Sequence, residues 1–366
     1  MTRYRPTRVV VDLDAIRHNV AVLRPPGVEL MAVVKANAYG HGDVRVAHAA
    51  LEAGATWLGV AMVEEGLRLR LGGVEAPILV LSELPEGCEP LAVASRLTPT
   101  VYTDAGLERL ASAIPGSGIA VHVKVDTGMH RVGVWPPEDA VPFMARVVDH
   151  GLAVEGLWTH LAKSEDDVEV TRAQVDRFSA IVASAGEAGL APRYLHAANS
   201  GGTIRHPEAR FDLVRPGIAV VGIEPAPGVG DGLGLRPALS WHSAVTMVKR
   251  LPAGERLSYG QRYELAADAW IATVPVGYAD GYPRAMSSRA DVLIRGRRCR
   301  VAGSVTMDQL VVDCGDLEVA PGDEVVLLGR QDADEITAWE LAGHADTIAY
   351  EIVARIGERV PREYLG

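Results

Sequence analysis

The side chains that could do chemistry in this chain stand at the ends of short apolar runs. Lys35 follows LMAVV, Lys124 closes AVHVK with Arg131 soon after, and His160 follows VEGLWT. Asn199 and Ser200 come just after YLHA, and Arg215 follows FDLV. Each alone reads as a solvated loop residue. Brought together, they would make a strongly cationic site. A lysine in such a place is desolvated and surrounded by like charge, which lowers its pKa. It then becomes a nucleophile toward carbonyls and a usable base. The loops ANSGGT and RPGI add an anion site. Gly201, Gly202 and Gly217 permit close backbone approach, and Ser200 offers a hydroxyl. Backbone N–H groups at a helix start favour phosphate.

For these groups to meet, the apolar runs must be parallel strands whose C-terminal ends share one face. The runs lie at 30–34, 57–61, 78–81, 98–102, 120–125, 154–159, 194–197 and 211–214. They are short, rich in β-branched residues and bounded by turn residues, as buried parallel strands are. Amphipathic stretches such as VRVAHAALEAG and TRAQVDRFSAIVASAGEAG separate them, the second stopping at Gly189. A further helix is expected over 12–24. Strand and helix repeated eight times is the pattern of an α/β chain forming a (β/α)8 TIM-type barrel, with catalytic groups at the C-terminal strand ends. A doubly wound open sheet has the same periodicity. After about Gly234 the texture changes to AVTMVKRL, AWIATVPV, DVLIRG, CRVAGSV, QLVVDC and EVVLLG, linked by tight turns. That reads as a mostly antiparallel β domain. The expected division is 1–234 for the barrel and 235–366 for the β-rich domain.

A formal net charge of -11 disfavours nucleic acid and anionic membrane as partners. No apolar run reaches signal-peptide or membrane-span length. Cys88, Cys299 and Cys314 form neither a CxxC pair nor a disulfide framework. The expectation is a cytoplasmic protein with no metal.

The motif AVVKANAYGHG resembles the cofactor-lysine motif of alanine racemases, which are fold-type III pyridoxal-phosphate enzymes. The likeness continues through KVDTGMHRVG, THLA, AANSGG, VRPGI, LSYG, VPVGYADGYPR, TMDQ and YEIVARIGERVPREY, across both domains. It implies interconversion of L- and D-alanine on pyridoxal 5'-phosphate, supplying D-alanine for bacterial peptidoglycan. Lys35 would form the Schiff base and serve as one base, and Tyr259 as the other. Tyr39, Ser200, the backbone at Gly217 and Ile218, and Tyr350 would hold the phosphate, with Asn199 supporting that side. Arg131 would contact the cofactor's phenolic oxygen and the substrate carboxylate. The lysine corresponding to Lys124 is often carboxylated in the family, and it then orients that arginine. His160 would stack on the cofactor ring and link Arg215 to Tyr259. The resemblance also implies a head-to-tail homodimer in which Tyr259, Tyr278 and Met307 come from the partner chain.

Arg215 also separates reaction classes. The related decarboxylases carry EPG, whose glutamate keeps the pyridine nitrogen protonated. An arginine only donates, so RPG leaves that nitrogen neutral and suits a brief proton exchange. The chain departs from the family pattern at Thr306, where cysteine is frequent, at Val221 and at Ser304. Substrate range and inhibitor sensitivity rest on the first and third. Two other readings stay open at this level. One is a non-catalytic pyridoxal-phosphate binding protein, which would lack LSYG and TMDQ. The other is a metal-dependent barrel hydrolase with a carboxylated Lys124, which would need more His and Asp at strand ends.

Overall fold

The computed structural model describes residues 4–115 and 118–366. Two compact units divide the chain: 15–38 with 43–236, and 1–14 with 39–42 and 237–366. Strand β1 (Arg8–Asp12) belongs to the second unit. The strands of the first are β2 (Glu29–Val33), β3 (Trp57–Val60), β4 (Ile78–Val80), β5 (Leu97–Thr98), β6 (Thr100–Val101), β7 (Ala120–Lys124), β8 (Ala153–Trp158), β9 (Tyr194–His196) and β10 (Leu213–Val214).

These strands are parallel and close on themselves. β10 pairs with β2, then β3, β4 and β5 follow, while β6 through β9 continue the circuit. Pro99 separates β5 from β6 because it lacks an N–H, yet its carbonyl still accepts from His122 N at 2.9 Å. The remaining seam is stitched by Asp212 N to Leu195 O and Arg215 N to Ala198 O, at 3.0 and 2.9 Å. An open doubly wound sheet would leave that seam unpaired, so the unit is an eight-stranded barrel. Met31, Trp57, Leu79, Tyr194 and Leu213 pack inside it. Helices cover the outside. Val168–Glu187 buries Thr171, Gln174, Val175, Phe178, Ile181 and Ala185, a stripe at helical spacing. Asp167 caps its start by accepting from Val170 N, and the chain turns at Gly189 with φ +75°.

The second unit is a twisted, largely antiparallel sheet. Its strands are β11 (Leu239–Ala244), β12 (Met247–Leu251), β13 (Arg256–Leu257), β14 (Tyr263–Glu264), β15 (Ala269–Val274), β16 (Asp291–Ile294), β17 (Arg297–Val301), β18 (Leu310–Asp313), β19 (Glu324–Gln331), β20 (Asp334–Ile336) and β21 (Arg362–Leu365). The main order is β12-β15-β18-β17-β16-β19-β11-β1-β21, with β13 and β14 paired as a separate ribbon.

One expectation needs correction here. The sequence reading assigns the N-terminal RVVVD to the barrel, but β1 pairs antiparallel with β11 and parallel with β21. Its alternating burial suits a strand with one solvated face rather than a barrel stave buried on both. Residues 39–42 also fall in this unit, where Arg362 Nε donates to Gly40 O at 3.1 Å. Among the described residues no helix is long and apolar enough to cross a membrane.

Candidate active site

Lys35 leaves β2 directly into an unusual turn. Ala36, Asn37, Ala38 and Tyr39 all have φ between +51° and +56°, a short left-handed stretch. Each such L-residue costs roughly 1–2 kcal/mol, so the turn must be held from outside. Glu65 does much of this. Its buried carboxylate accepts from Ala36 N at 2.6 Å and from Ala61 N at 2.8 Å. Asn37 accepts from Asp43 N at 3.1 Å, and Ala38 N donates to Val34 O. The result is a half-buried lysine on a fixed backbone. Burial, then Arg131, lowers its pKa, and Glu65 opposes them.

Lys124 ends β7 and is almost fully buried. Its Nζ sits 4.3 Å from the centre of the Trp158 ring, and the Arg215 guanidinium carbon sits 4.7 Å from it. Burial, Arg131, Arg215 and Lys35 together push the Lys124 amine down to about 7, against a smaller pull from Asp126. Arg131 itself is exposed on the following loop. Asp126 orders that loop by accepting from the amides of Gly128, Met129 and His130 at 2.9, 2.9 and 3.1 Å. The loop closes on Gly133, at φ +139°, where a Cβ would stand 2.7 Å from Asp126 N.

His160 follows β8 and is held neutral. Burial drives its pKa well down, and Arg215, Lys124, Arg131 and Lys35 add to that. It does not bond Arg215 as the sequence reading expects. Arg215 gives Nη1 to His196 Nδ1 at 2.9 Å, and Nη2 to Thr159 O and Ala197 O at 2.7 and 3.0 Å. The reason is geometric: His196 lies on β9, beside the strand that carries Arg215. Burial pushes Arg215 down to about 9, so it keeps its charge at neutral pH.

Ser200 links the loops after β9 and β10. Its Oγ accepts from Gly217 N at 2.9 Å, next to Ile218. Asn199 is the N-cap of helix Ser200–Arg205, accepting from Gly202 N at 2.9 Å and from Ser164 Oγ at 2.7 Å. One unit therefore holds Lys35, Lys124, Arg131, His160, Asn199, Ser200, Arg215, Gly217 and Ile218. Sequence reasoning missed Glu65, Trp158, His196 and His122. The two histidines were visible as polar residues inside apolar strands.

The other expected residues lie in the β-rich unit. Tyr39 and Tyr350 meet edge to face, with ring centres 6.2 Å apart. Tyr259 sits on the β13–β14 turn with 75% of its surface exposed. Tyr259, Tyr278, Ser304, Thr306 and Met307 line a cavity of about 690 Å³. Ser304 Oγ donates to Tyr259 O at 3.0 Å, and Ser258 Oγ donates to Ser304 O at 2.7 Å. Tyr278 N donates to Thr306 O at 3.0 Å. Ser304 thus braces the Tyr259 backbone through its hydroxyl, whereas Thr306 holds Tyr278 through its main-chain carbonyl and spends its hydroxyl on Gln309. Val221 is buried.

Neighbouring cations lower the proton affinity of Lys35 and Lys124, and few carboxylates face them, so the donor set calls for an anion. A low-pKa lysine beside a hydroxyl and amide cradle fits a phosphorylated aldehyde. Among the described residues no group of three His, Cys, Asp or Glu side chains is arranged to hold a metal ion.

Comparison with known proteins agrees with this donor set. Residues 11–225 match the family profile described as alanine racemase, N-terminal domain, and 238–364 match alanine racemase, C-terminal domain. An alanine racemase of Symbiobacterium thermophilum is 52% identical, with 99% of this chain and 98% of that protein covered. Another, from Thermobifida fusca, is 44% identical over 97% of each. The crystal structure of alanine racemase from D-cycloserine-producing Streptomyces lavendulae aligns with a TM-score of 0.94 at 42% identity, covering 100% and 98% of the two chains. That of Bacillus anthracis, with bound L-Ala-P, aligns with a TM-score of 0.94 at 38% identity, covering 100% and 96%. With both domains matched and the solved relatives aligned over the whole chain, this protein belongs to the alanine racemase family, isomerases that depend on pyridoxal phosphate.

Proposed function

We propose that the chain interconverts L- and D-alanine with two bases, Lys35 and Tyr259, acting on opposite faces of Cα. The observation that carries this is the low-pKa Lys35 among Lys124, Arg131 and Arg215 at the mouth of the barrel. Pyridoxal 5'-phosphate, when bound, supplies an electron sink for the pair left at Cα after the proton departs. Ser200, the amides of Gly217 and Ile218, Tyr39 and Tyr350 would hold its phosphate, with Asn199 fixing the start of the helix behind Ser200. Lys35 would bind its aldehyde carbon. Lys35 Nζ then holds or releases the proton on one face of Cα, which its lowered pKa favours. The Arg131 guanidinium binds the substrate carboxylate, and the Asp126 turn keeps that loop in place. Arg215 would donate toward the ring nitrogen, and a guanidinium cannot accept a proton from it. Neutral His160 would stack on the cofactor ring.

Tyr259 would act across a head-to-tail homodimer, with Tyr278 and Met307 beside it. Its support is exposure: Tyr259, Tyr278 and Met307 are 75%, 40% and 53% exposed around one cavity. Such a group suits burial against a second copy. The L-Ala-P bound in the Bacillus anthracis relative supports alanine as substrate. Lys124 would be carboxylated and orient Arg131. The product, D-alanine, would feed peptidoglycan synthesis.

The test is a racemisation screen over single amino-acid enantiomers, with and without added pyridoxal phosphate. Alanine should turn over and depend on the cofactor. No turnover of alanine, or turnover indifferent to the Lys35→Ala exchange, sinks the reading.

A further inference from the structure

The hydrogen bonds that begin at Arg215 continue into the barrel. Arg215 Nη1 donates to His196 Nδ1 at 2.9 Å, and His196 Nε2 lies 2.9 Å from His122 Nδ1. A guanidinium has no acceptor. His196 Nδ1 must therefore carry a lone pair, and the proton of the neutral ring must sit on Nε2. That proton goes to His122 Nδ1, which must be bare in turn. The His122 proton is forced onto Nε2. Both rings are fully buried, and burial pushes the pKa of each down, so neither takes a second proton. His122 Nε2 makes no hydrogen bond of ordinary length and faces the Glu155 carboxylate, with Oε2 at 3.7 Å. Every proton in the series points the same way, from a cation to a carboxylate.

The fold is adapted to this arrangement. β7 and β8 pair Val121 with Val154 and His122 with Gly156, which leaves Glu155 as an extra residue in a bulge. Bulges re-aim side chains. Gly156 is required beside it, because a Cβ there would stand 2.4 Å from His122 Nδ1. The rings are also clamped. Trp158 stacks on His196 with centres 5.5 Å apart and planes within 7°, and Trp57 packs on His122 at 5.3 Å.

We propose that His122 and Glu155 are positioning residues: Arg215 starts the series of tautomers, the Glu155 carboxylate favours the proton it leaves on His122 Nε2, and the relay fixed at both ends keeps Arg215 aimed as a donor into the site. Its catalytic consequence rests on the role given to Arg215 above. A neutral relay ending on a carboxylate also spreads compensation for the buried guanidinium without placing an acceptor against it. An acceptor carboxylate in direct contact with Arg215 would compete with the cofactor ring for its protons.

The experiment is ¹⁵N spectroscopy of histidine-labelled holoenzyme, with the two signals assigned by His122→Asn and His196→Asn. The wild type should show protonated Nε2 and bare Nδ1 on both rings. In Glu155→Ala the His122 proton loses its facing acceptor, so both signals should move. The cofactor's absorbance should shift, and kcat for alanine should fall about tenfold, as loss of an outer partner typically causes. KM should stay within about twofold, because substrate binding is untouched. Glu155→Gln keeps an acceptor oxygen and should lie between the two. A proton on Nδ1 of either wild-type ring overturns the proposal. So does a Glu155→Ala enzyme with unchanged nitrogen signals, whatever its activity, because Glu155 would then act only through packing. The wild-type tautomers are read independently of turnover. An inactive protein would thus count against the function and leave this test intact.

Discussion

Replacing Lys124 with methionine should stabilise the protein in carbon-dioxide-free buffer and disable it as a catalyst. Methionine matches the lysine stem in length and cannot be charged. Burial and the neighbouring cations pull Lys124 from an ordinary 10.5 down to about 7. At about 1.4 kcal/mol per unit, that is roughly 5 kcal/mol of strain in the charged form. This is an upper limit, since water entry relieves part of it. The sign follows from linkage. Below about 7 the amine is protonated in both folded and unfolded chains, and the folded state bears the whole penalty. Between about 7 and 10.5 the unfolded chain binds more protons, so stability rises with pH and the penalty shrinks. The gain from Lys124→Met should therefore be largest at pH 6 and vanish toward pH 10.5.

Carbon dioxide should reverse part of this. About half of the amine is neutral near pH 7. A neutral amine adds to carbon dioxide, forming a carbamate and releasing one proton. The carbamate puts a negative charge among Arg131, Arg215 and Lys35, so bicarbonate should stabilise the wild type and not the variant. The assay is urea unfolding from pH 6 to pH 10 at fixed protomer concentration, with and without bicarbonate. A variant that is less stable than wild type at pH 6 without carbon dioxide would refute the reasoning. So would a difference that ignores pH.

Four further outcomes are expected. Borohydride reduction of the protein with pyridoxal phosphate should fix the label on Lys35, and a label mapped to another lysine removes the assignment. Arg215→Glu should slow racemisation and add a long-wavelength absorbance during turnover, because a carboxylate keeps the ring nitrogen protonated. Wild-type turnover with no new band contradicts the donor-only role. Tyr259→Phe should lose α-deuterium exchange from L-alanine by ~10²–10⁴-fold while exchange from D-alanine partly survives. Mixing Lys35→Ala and Tyr259→Phe chains should restore activity, and no recovery in a verified heterodimer rules out a tyrosine donated across the interface.

Much of this was legible because barrel chemistry follows from strand ends. Lys35, Lys124, His160, Asn199, Ser200 and Arg215 needed only apolar periodicity to be grouped. What could not be read depends on contacts far apart in sequence. ANAY would be taken for a right-handed turn by local preference, since alanine is a good helix former. Its left-handed course is held by Glu65, which in AMVEEG looks like any residue in the first turn of a helix. The partner of Arg215 depends on which strand lies beside β10, and both His160 and His196 stood at plausible positions. RVVVD fell within the stretch assigned to the barrel, because its partners β11 and β21 lie more than two hundred residues away.

The same long-range contacts explain how an acidic chain keeps a cationic site. Net charge of -11 is spread over the surface, where water screens it, and does little for groups inside the barrel. Lys35, Lys124, Arg131 and Arg215 are compensated locally and incompletely. Glu65 faces Lys35, Asp126 faces Lys124, and Arg215 reaches Glu155 only through two neutral rings. Closer or more numerous carboxylates would stabilise the empty fold and fill the positions where anions must bind. The unrelieved charge is therefore a binding resource. A phosphate, a carbamate and a substrate carboxylate can each take up part of it, and each binds the folded state alone. Ligands of that kind stabilise by mass action, so stability and loading must rise together. The shortage of carboxylates that costs the empty protein stability is the feature suited to a phosphorylated cofactor and a substrate carboxylate.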